Sequence, residues 1–167
     1  MFLDESRCNT DMTRRYAYSL GGSRAVDSTP LSKPKNTTIL SSIQLDGTLR
    51  YTTFSGGTTV ERFKRYLETD LLPHLNGNSV LIMDNMKSHH AKAVKNLLDS
   101  SEIRYIYLPP YSPDLNPIEK LWSKVKAFLR KFKARTLDAL PNAIQNAFHS
   151  VTISDCSGWF RFCGYAL

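Results

Sequence analysis

The chain has 167 residues, of which 41% are hydrophobic and 22% charged, and it carries a formal net charge of +7. That length fits one domain with a real hydrophobic core, and the positive balance favours an anionic partner, nucleic acid first. Three cysteines, Cys8, Cys156 and Cys163, with no Cys-x-x-Cys pair, argue against a disulfide scaffold or a zinc knuckle. No apolar run approaches the ~18 residues of a membrane span. Met1-Phe2-Leu3 is followed at once by Asp4 and Glu5, which is not the pattern of a secretory leader.

In chain order, Phe2 to Cys8 reads as a strand, and Arg15 to Ser19, with Tyr16 and Tyr18 alternating, as a second. Gly21-Gly22-Ser23 is a turn, and Ser28 to Asn36, with two prolines, is a surface loop. Thr37 to Leu45 is rich in β-branched residues, Asp46-Gly47 is a tight hairpin turn, and Leu49 to Phe54 is the return strand. Val60, Phe63, Leu67, Leu71 and Leu72 recur at helical spacing and predict a helix over about Thr59 to Leu72. The apolar run Val80 to Met83 predicts a strand buried on both faces. Ala91 to Leu98 is helical and Ile103 to Leu108 is a strand. From Ile118 onward, Leu121, Trp122, Val125, Phe128, Leu129 and Phe132 form one stripe. A further helix starts at Thr136, and the aromatic tail from Ser154 to Leu167 is expected to dock on the body.

The order is therefore three strands in a meander, helix, strand, helix, strand, then helices. It predicts a single α/β domain over residues 1–167. Its sheet is mixed and flanked by helices, with a helical C-terminal part, the order of a ribonuclease H-like fold.

Three acids stand at the ends of these elements. Asp4 follows Met1-Phe2-Leu3, and Asp84 follows Val80 to Met83. Glu119 lies in the first helical turn after the proline-rich approach Leu108-Pro-Pro-Tyr-Ser-Pro-Asp-Leu-Asn-Pro117. Mg²⁺ takes oxygen ligands, usually few carboxylates completed by water and phosphate oxygens. Carboxylates converging on one sheet edge suit phosphoryl transfer with two ions.

Each acid has a plainer reading. Asp84-Asn85 is a common loop start. Glu5 adjoins Asp4, which leaves open which of the two faces a metal. Glu119 lies three residues after Asn116, the spacing of a capping box, and local chemistry alone favours that role. The helix carrying Glu119 is basic on its polar side, and Lys124, Lys126, Arg130 and Lys133 are candidates for DNA contact against the plainer reading of a solvated face. His89 and His90 can bond a phosphate or a metal-bound water, or serve only as cap or packing. Trp122, on the apolar stripe, belongs to the core.

Phe2-Leu-Asp-Glu-Ser6, Met83-Asp-Asn-Met-Lys-Ser-His-His90 and Leu108 to Trp122 resemble the three signature blocks of mariner-type DDE transposases of bacterial insertion sequences. The closing Trp159-Phe-Arg-Phe-Cys-Gly-Tyr165 resembles that family's C-terminal end. The resemblance implies a ribonuclease H-like fold and Asp4, Asp84 and Glu119 as the catalytic and metal-binding acids, with two Mg²⁺ or Mn²⁺ ions. It also implies cleavage of transposon ends followed by attack of the freed 3′-hydroxyl on target DNA. The implied partners are double-stranded DNA, a second copy of the chain and no membrane, in a bacterial cytoplasm at the nucleoid. Such transposases usually carry helix-turn-helix domains ahead of the catalytic domain, whereas Asp4 stands three residues from the first residue here. The expectation is a catalytic half, served by a separate helix-turn-helix chain, or else a truncated remnant that binds DNA without cutting it. A ribonuclease acting on RNA–DNA hybrids shares fold and metals and is the more distant alternative.

Overall fold

A computed structural model describes residues 1–31 and 34–165. Its strands are β1 (Phe2–Cys8), β2 (Thr37–Ile43), β3 (Leu49–Ser55), β4 (Val80–Met83) and β5 (Arg104–Tyr107). They form one sheet in the order β3-β2-β1-β4-β5, with β1, β2 and β3 antiparallel and β1, β4 and β5 parallel. The helices are α1 (Val60–Tyr66), α2 (Lys92–Ser100), α3 (Ile118–Phe132), α4 (Ala139–His149) and α5 (Ile153–Phe162). This is the expected mixed sheet flanked by helices, with a helical C-terminal part.

Period-two alternation on the strands divides the core into two halves. Phe2, Cys8, Ile39 and Ile43 pack with Leu121, Trp122 and Val125 of α3 and with Ile144 and Phe148 of α4. Leu3, Leu40, Leu81 and Met83 pack on the opposite face with Phe63, Leu67, Val94 and Leu98. Each fully buried Leu or Phe contributes about 1.5–3 kcal/mol of transfer free energy. The same alternation sends Asp4 toward the α3 side and its neighbour Glu5 toward the α1–α2 side.

Several elements differ from expectation. Arg15 to Ser19 forms no strand, and Tyr16 and Tyr18 are 90% and 105% exposed. Both edges of β1 are already taken, by β2 and β4, so an alternating segment just after it cannot pair with β1. The helix expected to run to Leu72 is α-helical only through Tyr66. A π-helical turn, Leu67–Leu71, follows, then a 3₁₀ turn, Leu72–His74, whose Pro73 cannot continue an α-helical ladder. The helix placed at Thr136 starts at Ala139, with the Thr136 hydroxyl accepting from its N–H at 3.2 Å. In the tail, α5 opens with a capping box between Thr152 and Asp155. Its aromatic end docks on β1, with Phe160 and Tyr165 edge-on to Phe2 at ring centroids 5.4 and 5.0 Å away. Ser32 and Lys33 of the expected loop, and Ala166 and Leu167 of the tail, lie outside the described residues.

Candidate active site

The register of the two central strands positions the first two acids. β1 and β4 pair in parallel with Leu3 opposite Met83, so Asp4 and Asp84 are the next residues on adjacent strands. The β4 end is fixed by the Leu108 N–H, which donates to the Met83 carbonyl at 2.8 Å. Asn85 reaches across through its side-chain amide to the Leu108 carbonyl. The chain from β5 therefore leaves beside Asp84.

The proline-rich stretch then carries the chain to α3. Pro113–Leu115 forms a 3₁₀ turn, and the Tyr165 hydroxyl donates to the Leu115 carbonyl at 2.7 Å, pinning the turn from the C-terminal side. Asn116 is extended (φ −110°, ψ 97°) and Pro117 is already helical (φ −58°, ψ −27°), the change of conformation that begins α3. No capping box forms. Asn116 caps nothing with its side chain, and the Glu119 carboxylate makes no hydrogen bond among the described residues. Glu119 is exposed and free of the role that local spacing favoured. Asn116 is 4% exposed, and its Oδ1 has no hydrogen-bond partner among the described residues.

Asp4, Asp84 and Glu119 line one cleft of about 570 Å³, walled by Asn85, Asn116 and the Leu108–Pro113 segment. Asp4 is 6% exposed. Its Oδ1 accepts from the Glu5 N–H at 2.7 Å and its Oδ2 from the Trp122 indole N–H at 3.1 Å. Burial pushes the Asp4 carboxyl up to about 7. The two hydrogen bonds oppose that rise, while the negative charges of Asp84 and Glu119 add to it.

Asp84 is held by His89, for which the sequence suggested a phosphate or water contact, a cap or packing, but not this bridge. His89 is fully buried and stacked on Phe63, with centroids 4.2 Å apart. Its Nδ1 lies 2.8 Å from Asp84 Oδ1 and its Nε2 lies 3.3 Å from Glu5 Oε2. Burial alone would push the imidazolium down, but the two carboxylates overcome that and raise it to about 9. Burial also pushes Asp84 up, and the His89 bond and charge outweigh it, so Asp84 lies below its ordinary value. Glu5 thus braces His89 from the α1–α2 side while Asp4 faces the cleft, which settles the geometry of that adjacent pair. His90 lies 2.8 Å from Asn85 Oδ1 and stacks on Tyr107, whose hydroxyl donates to the His89 carbonyl. The only signal in the sequence for this arrangement is the spacing of two histidines after Asp84.

The three acids of the cleft offer only oxygen donors, as a hard divalent cation requires. Among the described residues, no three His, Cys, Asp or Glu side chains stand close enough to hold an ion between them. Mg²⁺ is usually bound through one or two carboxylates, with water and phosphate oxygens in the remaining positions, so an open set of three acids fits it. Asp84 Oδ1 is engaged by His89 and by the Met86 N–H at 3.1 Å, which leaves Oδ2 for such a ligand.

The four candidate cations, three on α3 and Lys133 just after it, separate into two pairs. Lys124 pairs with Asp155 at 2.5 Å, tying α3 to α5, and Lys133 pairs with Asp27 at 2.5 Å. Lys126 and Arg130 instead line a second groove with Arg7 and Arg15.

A family model described as DDE superfamily endonuclease matches residues 1–141. The chain belongs to the DDE superfamily endonuclease family. This DDE endonuclease chain is 28% identical over 97 residues to the Tc1 transposase of Caenorhabditis elegans, covering 56% of this chain and 36% of that protein. It is 29% identical over 75 residues to the Tcb2 transposase of Caenorhabditis briggsae, covering 45% of this chain and 28% of that one. Among solved structures, it superposes on the Mos1 transposase paired-end complex with left transposon end at a TM-score of 0.80, with 19% identity, over 96% of this chain and 50% of that one. The catalytic domain of the Mos1 mariner transposase aligns at a TM-score of 0.64, with 16% identity, over 98% of this chain and 75% of that one. The chain thus spans about a third of the curated relatives' length, and the structural likeness establishes the ribonuclease H-like fold. Among the described residues, no helix of this DDE endonuclease is long and apolar enough to cross a membrane.

Proposed function

We propose that this chain is the catalytic domain of a DNA transposase, a divalent-metal-dependent DNA endonuclease and strand transferase. Asp4, Asp84 and Glu119 are its catalytic and metal-binding acids. The observation that carries the reading is the common cleft lined by three carboxylates from β1, the end of β4 and the first turn of α3. Family membership and the metals named with Mos1 structures, Mg and Mn, support it.

When bound, Mg²⁺ or Mn²⁺, two ions in this reading, supplies positive charge to the attacking and leaving oxygens of one phosphate. The chain's residues prepare the position. His89 fixes the Asp84 carboxylate through Oδ1, Trp122 and the Glu5 N–H hold Asp4, and the Leu108–Pro113 wall fixes where Glu119 enters. In the first step, water adds to the phosphorus at a transposon end, and the 3′ oxygen departs and takes a proton. In the second, that 3′-hydroxyl gives up its proton and attacks a target phosphodiester, displacing the target strand's own 3′ oxygen. Both steps are in-line displacements at a phosphodiester, so one cleft serves both. The reading includes double-stranded DNA as substrate and a homodimer that holds two ends.

Calorimetric titration with Mn²⁺ tests the acids directly. Binding is expected in the wild-type chain and is expected to be lost in Asp84→Ala and Glu119→Ala. Binding that is absent, or indifferent to these substitutions, would favour a DNA-binding remnant without chemistry.

A further inference from the structure

Two to three helical turns along α3 from Glu119, the groove of about 470 Å³ gathers Arg7 from β1, Arg15 from the segment after it, and Lys126 and Arg130 from α3. Asp11 is the one carboxylate on its lining. Among the described residues, none of the four cations makes an ion pair, whereas Lys124 on α3 and Lys133 just after it are each paired with a carboxylate. Arg15 adjoins Arg130. Burial and the charge of Arg15 both lower the Arg130 pKa, and Lys126 is close enough for its charge to act on the Cys8 thiol. Four cations against one carboxylate leave the groove net positive, and an anion placed among them relieves their repulsion. Guanidinium groups also match phosphate with paired donors.

We propose that this groove holds backbone phosphates of the DNA strand whose reacting phosphate lies at Asp4, Asp84 and Glu119. At ~1.5 Å of rise per residue, Lys126 and Arg130 stand ~10 and ~16 Å along the helix from Glu119. At ~3.4 Å per nucleotide, that is about three to five nucleotides from the reacting position. Three carboxylates in the cleft repel a polyanion, so cations along its path are needed to keep it there. The placement relative to chemistry rests on the reading of the carboxylate cleft above, while the binding itself does not.

The test is fluorescence anisotropy of a labelled 20-base-pair duplex with the full chain in EDTA, over a series of KCl concentrations. Arg15→Gln with Arg130→Gln, and Arg7→Gln with Lys126→Gln, are compared with Arg104→Gln, an exposed cation on β5. Each phosphate contact contributes about 0.9 to the slope of log affinity against log salt, so each double variant is expected to lower the slope by about 2. Affinity at low salt should fall roughly tenfold or more. Arg104→Gln should keep the wild-type slope. An unchanged slope in both double variants would overturn the proposal, as would an equal loss in Arg104→Gln. A slope that falls as expected, in a chain that performs no Mn²⁺-dependent chemistry, would uphold the groove while overturning the reading of the carboxylates.

Discussion

The indole N–H of Trp122 donates to Asp4 Oδ2 across 3.1 Å, joining α3 to β1 through residues 118 apart in sequence. Trp122 is 3% exposed, so it fills the core and orients a carboxylate at once. Trp122→Phe keeps much of the packing and leaves a buried charge short of a donor. The expected cost is about 2–3 kcal/mol of stability, since hydrogen bonds to charged groups are the strong ones. The Asp4 carboxyl should also rise further above about 7. Chemical denaturation checks the first outcome. The second is checked by a shift to higher pH of the midpoint for Mn²⁺ binding.

Asp4→Asn should separate stability from function. The folded pKa of Asp4 is raised, so its contribution to stability is fully present below about 4 and is lost as pH rises through about 7. Without metal, the variant is expected to melt above the wild type at pH 8 and near it at pH 4. Added Mn²⁺ should raise the melting temperature of the wild type and leave the variant unmoved.

His89 gives a window of the same sign at higher pH. Its folded pKa is raised to about 9, so its stabilising charge is fully present below about 6.5 and lost as pH rises through 9. The stability gap between wild type and His89→Gln should therefore narrow from pH 7 to pH 10. Asp84 should lose its depressed pKa in the variant, which NMR titration of its carboxyl carbon would report. A gap constant with pH would mean that His89 acts by packing on Phe63 alone.

Glu119 separates a cap from a ligand. Its carboxylate makes no hydrogen bond to the start of α3, so Glu119→Gln is expected to stay within about 0.5 kcal/mol of wild-type stability. Thr152→Ala, which removes a cap that is formed at α5, should cost about 1 kcal/mol. Thermal melts of the two variants provide the comparison, and Mn²⁺ binding should be lost only in Glu119→Gln.

Much of this was legible in the sequence because the decisive signals are local. The run Val80 to Met83, the Asp46-Gly47 turn and the α3 stripe each imply their element without tertiary help. Arg15 to Ser19 was not legible, because alternation states a capacity to pair while the edges of β1 are taken by β2 and β4. The capping reading of Glu119 failed for a related reason. The spacing after Asn116 is right, but Asn116 points its side chain elsewhere and the carboxylate is left to the cleft. The Glu5–His89–Asp84 bridge joins β1 to the loop after β4 and leaves almost no trace in one sequence. The pairing of Lys124 and Lys133 with Asp155 and Asp27 likewise depends on contacts that helical spacing cannot reveal.

The most direct measurement is strand transfer. The wild-type chain is incubated with Mn²⁺, supercoiled plasmid and a labelled duplex bearing a recessed 3′-hydroxyl. DNA-binding domains are supplied separately if the short duplex binds too weakly. The account predicts label joined covalently to plasmid, dependent on the metal and absent in Asp4→Asn, Asp84→Asn and Glu119→Gln taken singly. Joining that survives Asp84→Asn, or that proceeds in EDTA, would contradict it.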